Sequence, residues 1–286
     1  MRFTEDCFAC LLSRVEYECR LATDDEARVM AAVDACETLL RTIREDDCAA
    51  PVIACRVHRH AYQHIGCRDP YRDLKTLNNQ EALQALHRVA PSLRTFRDRC
   101  LAAVIANTLD YGSRMHRVTD DFIGFFAREF ASGFSIDHTD EIERCASRVV
   151  YLTDNCGEIL FDRLVVESLK AAGSHVTCIV RGAPILNDAT LEDALRFGFD
   201  RIADDLFVNT MNGIAEFGLN PRFIPPAVSD ALDSATLLIA KGMANYESLT
   251  EWRDLPPVGY LMSVKCSPIA RSVGVPVGSR IALLSR

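Results

Sequence analysis

From about residue 147 onward, short apolar segments alternate with amphipathic ones, and this alternation constrains the fold more than any other feature of the sequence. The short segments are rich in β-branched and apolar residues: RVVYLT, HVTCIV, ATLLIA, VGYLMSV and, near the C-terminus, SRIALLS. Between them lie segments with helical spacing, among them EILFDRLVVESLKAAG, TLEDALRFG, VSDALDSA and SPIARSVG. Apolar strands that alternate with helices indicate a mainly parallel sheet that is covered by helices on both faces.

The first half of the chain has no such segments, and its apolar residues recur at the spacing of amphipathic helices. The stretch TDDEARVMAAVDACETLLRTI predicts one helix, with Thr23 as its N-cap and Glu26 completing a capping box. Further helices are predicted in VIACRVHRHAYQHI, in DDFIGFFAREFA and on both sides of Pro91. The chain is therefore predicted to be an α/β protein, with an all-helical domain over residues 1–146 and an α/β domain over residues 147–286.

The charge and composition argue against several classes of protein. A net charge of -8 and a pI of about 5.4 argue against a general binder of nucleic acid or of anionic membranes, which needs a basic surface. No apolar run reaches the roughly 18 residues of a membrane span. The first ten residues, MRFTEDCFAC, carry acids where a signal peptide would have its apolar stretch. We therefore expect a cytoplasmic protein whose twelve cysteines are mostly thiols.

Four clusters of mainly polar residues follow four of the predicted strands at their C-terminal ends. They are Asp154, Asn155, Gly157 and Glu158 after the first strand, Arg181, Asn187 and Asp188 after the second, Lys241, Gly242, Asn245 and Glu247 after the third, and Lys265 and Cys266 after the fourth. The carboxyl ends of parallel strands meet at one edge of a sheet, and ligands bind there in open α/β folds. We therefore expect these clusters to share one site.

The chemistry of these clusters is that of phosphoryl transfer. Asp154, Asn155 and Asp188 offer only oxygen atoms, which suit Mg²⁺ or Mn²⁺ better than a structural zinc ion. Lys241 on a glycine turn is a compact positive charge suited to a phosphate oxygen. The helix that is predicted to begin near Glu158 would direct the positive end of its dipole to the same edge. A metal, a lysine and a helix N-terminus together can stabilise the charge of a transferring phosphoryl group.

Each cluster taken alone also has an ordinary structural interpretation. Asp154 or Asn155 could form a turn or cap a helix, Asp188 could be part of another cap, and Lys241 could belong to a simple turn. The sequence contains neither G-x-x-x-x-G-K-[ST] nor G-x-G-x-x-G, which argues against a P-loop NTPase and a Rossmann dinucleotide enzyme. The prediction of a site rests on four clusters that share one edge.

Seven segments resemble, in matching order, the signature segments of the domain-of-unknown-function 89 family, the ARMT-like metal-dependent damage-control phosphatases. They are CFACLL, DPYRDLK and ANTLDYG in the first half, and LTDNCGEILFD, RGAPILNDAT, IAKGMANYESL and VKCSPIARSVGVPVGS in the second. The cysteine pair and the KC step are similar to those of the stand-alone microbial branch. One departure is Ala106, which stands where the family commonly has glycine.

The resemblance implies an N-terminal helical domain and a C-terminal three-layer α/β/α sandwich with a mainly parallel sheet. It implies a divalent metal (Mg, Mn, Co or Ni) that is held by Asp154, Asn155 and Asp188, and phosphate contact by Lys241. The residues that it places near the site, as substrate contacts, are Glu158, Asn245 and Glu247, with Asn107, Asp110 and Asp69 as candidates for lining the cleft. Asp154, Asp188 and Lys241 are the predicted catalytic residues.

We therefore predict a cytoplasmic, metal-dependent phosphatase that acts on a small phosphorylated metabolite, such as a sugar phosphate or a damaged metabolite. Two routes stay open: direct attack by water, or transfer of the phosphoryl group first to Asp154 or Asp188. One alternative is an S-adenosylmethionine-dependent carboxyl methyltransferase, as described for some eukaryotic relatives, although the chain lacks a glycine-rich loop after its first strand. Another alternative is a non-enzymatic metal- or redox-sensing module. The oligomeric state also stays open.

The alternative of a metal- or redox-sensing module rests on the cysteines and histidines. Cys7 and Cys10 form a C-x-x-C pair, and the stretch CRVHRHAYQHIGC places His60 and His64 on one helix face, so the two groups could hold zinc. The other interpretation is that the cysteines pack between helices. Cys266 lies on the predicted active edge, where a neighbouring lysine could lower its pKa. For Cys266 we favour packing or substrate positioning over nucleophilic catalysis, because no histidine pairs with it in the sequence.

Overall fold

Helices make up the first part of the fold, and the computed structural model describes residues 1–108 and 122–286 of the chain. The helices of this part are α1 (Glu5–Ala22), α2 (Glu26–Ile43), α3 (Ala50–Ile65), α4 (Arg72–Val89), α5 (Phe96–Ala106), α6 (Phe122–Ser132) and α7 (Thr139–Cys145). Helix α3 ends at Gly66, which has a left-handed φ of 67°, and a 3₁₀ turn that contains Pro91 separates α4 from α5, as expected. Asp110 lies outside the described residues.

The predicted N-cap of α2 is wrong by two residues. Asp25 caps the helix, because its side chain accepts a hydrogen bond from the backbone N–H of Arg28. Thr23 ends α1 instead, since its backbone N–H still donates to the carbonyl oxygen of Cys19. Aspartate is at least as good an N-cap as threonine, so the acid immediately before Glu26 takes the position.

Seven strands within the described residues form one sheet, with helices between them. In chain order these elements are β1 (Ile136–Asp137), β2 (Arg148–Leu152), α8 (Ile159–Ala171), β3 (His175–Val180), α9 (Leu191–Arg196), α10 (Phe199–Ile202), β4 (Asp205–Val208), α11 (Pro226–Ser234), β5 (Leu237–Lys241), α12 (Gly242–Leu249), β6 (Val258–Ser263), α13 (Ser267–Val273) and β7 (Arg280–Ser285). The strand order is β1-β7-β6-β5-β2-β3-β4, and every pair is parallel except β6 with β7.

Each face of the sheet buries its own hydrophobic core. Along β2, Val149 and Tyr151 face one core, which includes α5, α8 and α10. Val150 and Leu152 face the other, which includes α11, α12 and α13. Three layers result, so the predicted fold class is confirmed: an α/β protein with helices on both sides of a mainly parallel sheet.

Two strands were absent from the sequence prediction. Strand β1 has two residues and β4 has four, and both lie at the edges of the sheet. Runs this short give little periodicity to detect. The expectation that the first half contains no strand is therefore wrong at β1, within residues 1–146.

The division into two domains at residue 146 stays a prediction. Helices α1, α2 and α3 share a hydrophobic core of their own. Helix α5, in contrast, contributes Leu101 and Ile105 to the core that also contains Val149 of β2. None of the helices in the described ranges is both long and apolar enough to cross a membrane.

Candidate functional site

The ends of strands β2 and β3 bring two of the predicted clusters together. These strands are parallel neighbours, so the segments that follow them leave the sheet side by side. An antiparallel bridge joins Asn155 to Asp188, and the N–H of Ala189 donates to the carbonyl oxygen of Asp154 at 2.8 Å. Asp154, Asn155 and Asp188 therefore lie at one point of the sheet edge.

Gly242 gives Asp154 its place at this edge. The Oδ2 atom of Asp154 accepts hydrogen bonds from the side-chain amides of Asn107 at 3.0 Å and Asn155 at 2.8 Å. Gly242 has a φ of 73°, and a Cβ atom there would lie 1.9 Å from Oδ2 of Asp154. Only glycine leaves room for the carboxylate, so the first residue of α12 and the end of β2 depend on each other.

Arg181 connects the two aspartates, although the sequence analysis gave it no role. Its Nε donates to Oδ2 of Asp188 at 2.6 Å, and its Nη2 lies 3.6 Å from Oδ1 of Asp154. Burial, and then the charges of Glu158 and Asp188, raise the pKa of Asp154 well above its usual value, against a lowering by Arg181. The position of Arg181 directly after the second predicted strand was the signal available in the sequence.

Lys241 lies behind this edge and binds two carboxylates. Its ammonium group donates to Glu158, to Asp162 at 2.6 Å and to the carbonyl oxygen of Ala103 at 3.2 Å. An ammonium group has three N–H bonds, so these contacts use all of its donors. Burial lowers the pKa of Lys241, but Asp162 and Glu158 together raise it above its usual value. Phosphate contact by Lys241 stays a prediction, and it would require one of these bonds to be exchanged.

Asp162 is a buried acid that the sequence analysis missed. It accepts hydrogen bonds from Lys241 and from the hydroxyl of Tyr151, the latter at 2.9 Å. Burial raises its pKa to about 7 even though Lys241 lowers it. Asp162 lies one helical turn after Glu158, so the four-residue spacing of two acids was the available signal.

Helix α5 supplies a donor to the site at its C-terminal end. The amide of Asn107 donates to Asp154 and, at 2.6 Å, to Glu158. Lys265 in turn donates to the backbone carbonyl oxygen of Asn107. Asn107 therefore contacts the buried carboxylates even though Ala106 replaces the family's usual glycine.

The remaining predicted residues have other surroundings. The amide of Asn245 donates to the carbonyl oxygens of Thr153 and Lys241, at 3.1 and 2.6 Å, and so ties the ends of β2 and β5 together. Glu247 lies near the terminal ammonium group and Arg14, and burial raises its pKa to about 7 against their influence. Asp69 pairs with Lys75 at 2.7 Å. Whether these side chains contact a substrate stays a prediction.

The cysteines and histidines do not form a metal centre in the part of the chain that the structure describes. Within residues 1–108 and 122–286, no group of three His, Cys, Asp or Glu side chains is arranged to hold a metal ion. His58 is paired with Glu18 at 2.8 Å, and the rings of His60 and His64 lie edge to face. The suggestion that a lysine lowers the pKa of Cys266 is wrong, because burial raises that pKa to about 11.

Comparison with known proteins agrees with the resemblance seen in the sequence. Residues 3–281 match the family described as the damage-control phosphatase ARMT1-like domain. A protein of Archaeoglobus fulgidus named damage-control phosphatase is 38% identical over 291 residues, which cover 99% of each chain. A damage-control phosphatase of Pyrococcus horikoshii is 25% identical over 292 residues, which cover 100% of this chain and 99% of that one.

The fold is also similar to that of a solved structure. A crystal structure described as a DUF89 family protein of Pyrococcus horikoshii superimposes over 100% of both chains, with a TM-score of 0.90 and 23% sequence identity. The solved structure therefore supports the α/β fold with a mostly parallel sheet. The chain belongs to the damage-control phosphatase ARMT1-like family.

Proposed function

We propose that this chain is a metal-dependent phosphatase that hydrolyses a small phosphorylated metabolite in the cytoplasm. The observation that carries the proposal is the group of four buried carboxyl groups at the edge where β2 and β3 end. These groups belong to Asp154, Glu158, Asp162 and Asp188. The relatives named damage-control phosphatases support the class of reaction and a damaged metabolite as the substrate. A sugar phosphate is the other substrate that we propose, from the resemblance seen in the sequence.

The charges at this edge fit a divalent cation. The four carboxyl groups are paired with two buried cations, Arg181 and Lys241, in the ion pairs that the described residues form. Burial and the charges of Glu158 and Asp188 raise the pKa of Asp154 well above its usual value, so a cation bound beside it would favour the ionised carboxylate. Asp154, Asn155 and Asp188 present oxygen atoms, the ligands that Mg²⁺ and Mn²⁺ prefer. These three residues would hold the ion, and Co²⁺ or Ni²⁺ are further candidates.

The surrounding side chains would keep the carboxylates ready for that ion. A bound divalent cation would supply charge for the phosphoryl oxygens and make water easier to ionise. Asn107 and Asn155 donate to Asp154 and so hold its carboxylate in one orientation. Lys241 fixes Glu158 from behind the site. Direct attack by water and phosphoryl transfer to Asp154 or Asp188 are both compatible with this arrangement.

Hydrolysis of p-nitrophenyl phosphate after removal of metal ions tests the proposal. We expect no activity with a chelator present, and activity when Mg²⁺, Mn²⁺, Co²⁺ or Ni²⁺ is added. Asp154→Asn should lower kcat/KM at least about 100-fold, a loss of about 2.7 kcal/mol of transition-state stabilisation. The matched control is Asp233→Asn, an exposed acid on α11 that should change kcat/KM less than twofold.

Two results would contradict the proposal. Hydrolysis that persists with a chelator and is unchanged in Asp154→Asn would remove the metal site from the reaction. Binding of S-adenosylmethionine in calorimetry without any metal, together with no hydrolysis, would favour the carboxyl methyltransferase instead.

A further inference from the structure

Arg181 is a buried cation at the edge where β2 and β3 end, and the described residues use only part of its hydrogen-bonding capacity. It is the first residue after β3, and its side chain has no exposed surface. Its backbone N–H donates to the carbonyl oxygen of Ala189 at 3.0 Å, and its carbonyl oxygen accepts from Leu191 at 3.3 Å. Both bonds reach the far side of the loop that carries Asp188, so the backbone of Arg181 is anchored beside the two aspartates.

The guanidinium group of Arg181 is only partly satisfied. Its Nε donates to Asp188 at 2.6 Å, but Nη1 and Nη2 are buried and have no hydrogen-bond partner among the residues that the structure describes. The distance from Nη2 to Oδ1 of Asp154, 3.6 Å, is too long for a good hydrogen bond. A buried donor without a partner costs stability. Such a group in a folded protein therefore needs an explanation, and a bound ligand is one.

The chemistry of the missing partner follows from the donors. A guanidinium group presents its N–H bonds in a planar fork that matches two oxygen atoms of a phosphate or carboxylate. A metal ion would be repelled by it, so the partner is an oxyanion. The fork lies against Asp154 and Asp188, which are the residues that would hold the cation in the proposed function.

We infer that Arg181 binds the phosphoryl group of the substrate through Nη1 and Nη2, while its Nε keeps Asp188 in place. This inference rests on the proposed phosphatase function. It assigns to Arg181 the neutralisation of phosphate charge that the sequence analysis assigned to Lys241. Lys241 has no N–H bond to spare, because its three donors go to Glu158, Asp162 and Ala103.

Calorimetry with inorganic phosphate and with Mn²⁺ separates this role from a purely structural one. In Arg181→Gln, with Mg²⁺ at saturation, we expect phosphate to bind about 10- to 100-fold more weakly, since charged hydrogen bonds are lost. Mn²⁺ measured without phosphate should keep an affinity within about threefold of the wild type, because the removal of a positive charge beside two carboxylates favours the ion and the lost Nε bond to Asp188 disfavours it. Arg163→Gln, an exposed ion-pair residue on α8, is the matched control and should change neither affinity.

Arg181→Lys keeps the inference testable if the glutamine variant folds poorly. A lysine retains the charge but loses the fork, so phosphate affinity should fall less than in Arg181→Gln and remain below that of the wild type. Equal phosphate affinity in the wild type and in either folded variant, with Mn²⁺ binding intact, would overturn the inference alone. Weaker Mn²⁺ binding with unchanged phosphate affinity would show that Arg181 only positions Asp188, which also overturns it. A wild-type protein that binds neither probe would overturn the proposed function as well.

Discussion

Two groups of buried acids in this molecule differ in how completely their hydrogen-bonding atoms are paired. In the helical part, Glu18 is fully buried, and both of its oxygens lie within 3.0 Å of Nδ1 of His58. The hydroxyl of Tyr62 also lies near Glu18 and lowers its pKa. We call these three residues the helical cluster. Glu18 is bonded to side chains of the protein itself, as expected for a buried acid whose role is structural.

The second group, at the ends of β2 and β3, has bonding capacity left over. We call Asp154, Glu158, Asp162, Asp188, Arg181 and Lys241 the edge cluster. Within the described residues, the buried atoms at or beside it that lack a hydrogen-bond partner are Oδ2 of Asp162, Nη1 and Nη2 of Arg181, Oδ1 of Asn107, Nδ2 of Asn187 and Oδ1 of Asn245. We therefore expect the helical cluster to stabilise the protein, and we propose that the edge cluster binds ligands.

The largest expected effect comes from closing the space beside Asp154. Gly242→Ala would place a Cβ atom 1.9 Å from Oδ2 of Asp154 and displace the carboxylate. We expect kcat/KM for p-nitrophenyl phosphate to fall about 1000-fold or more, because a small displacement of a catalytic group is already costly. Steady-state kinetics and circular dichroism on the purified variant measure the loss and the integrity of the fold.

Gly274→Ala is the control for backbone strain in that experiment. Gly274 has a φ of 79°, close to that of Gly242, and nothing lies within 4 Å of the added Cβ atom. It should lose about 1 kcal/mol of stability and keep its activity. Equal activity losses in the two variants would mean that backbone strain, and not the displacement of Asp154, lowers the activity of Gly242→Ala.

Breaking the helical cluster should affect stability and spare metal binding. Burial raises the pKa of Glu18, so its ionisation in the folded state costs stability once the pH exceeds its unfolded pKa of about 4.3. His58→Ala removes the partner that offsets this cost. We expect the free energy of unfolding to fall by about 3–5 kcal/mol at pH 8 and by less at pH 5, as measured with urea.

His60→Ala provides the comparison on the same helix. His60 is only partly buried, and its ring contacts His64. Its removal should cost less than about 1 kcal/mol at either pH. A loss in His58→Ala that does not grow from pH 5 to pH 8 would contradict a role for ionised Glu18.

The smallest expected effect concerns a contact between the two clusters. The N–H of Leu186, two residues before Asp188, donates to the hydroxyl of Tyr62 at 3.0 Å. Leu186 has a left-handed φ of 48°, which is unfavourable for leucine and needs support from its surroundings. Tyr62→Phe should therefore cost about 1–2 kcal/mol of stability and weaken Mn²⁺ binding a few-fold.

Tyr246→Phe is the matched variant for Tyr62. Its hydroxyl bonds to Ser272 at 2.8 Å, away from the Asp188 loop. It should lower stability by a similar amount and leave Mn²⁺ affinity unchanged in calorimetry. The two clusters would have to be regarded as independent if Tyr62→Phe also left Mn²⁺ affinity unchanged.

The meeting of Asp154, Asn155 and Asp188 could be predicted from the sequence, and the bonding of Lys241 could not. The first follows from two apolar strands of a parallel sheet, whose ends must leave the same edge. The second depends on Asp162, which lies inside α8 and turns toward the site only because of how that helix packs on the sheet. The four-residue spacing of Glu158 and Asp162 places the two acids on one side of a helix, but it does not show that this side meets Lys241.

The contacts of Arg181 also could not be predicted from the sequence. Its place after a strand could be recognised, but only the folded structure shows two guanidinium nitrogens that have no partner among the described residues. The short strands β1 and β4 were missed for a different reason, since two and four residues give too little alternation to distinguish from a loop.

Mn²⁺ binding by calorimetry after chelator treatment tests most directly whether the edge cluster, and not the helical cluster, takes the metal. We predict that the wild type and Glu18→Gln bind Mn²⁺ with similar affinity and that Asp154→Asn binds it at least about 100-fold more weakly, since one of its charged oxygen ligands is lost. Mn²⁺ binding that is absent in the wild type, or that is unchanged in Asp154→Asn and lost in Glu18→Gln, would contradict this assignment.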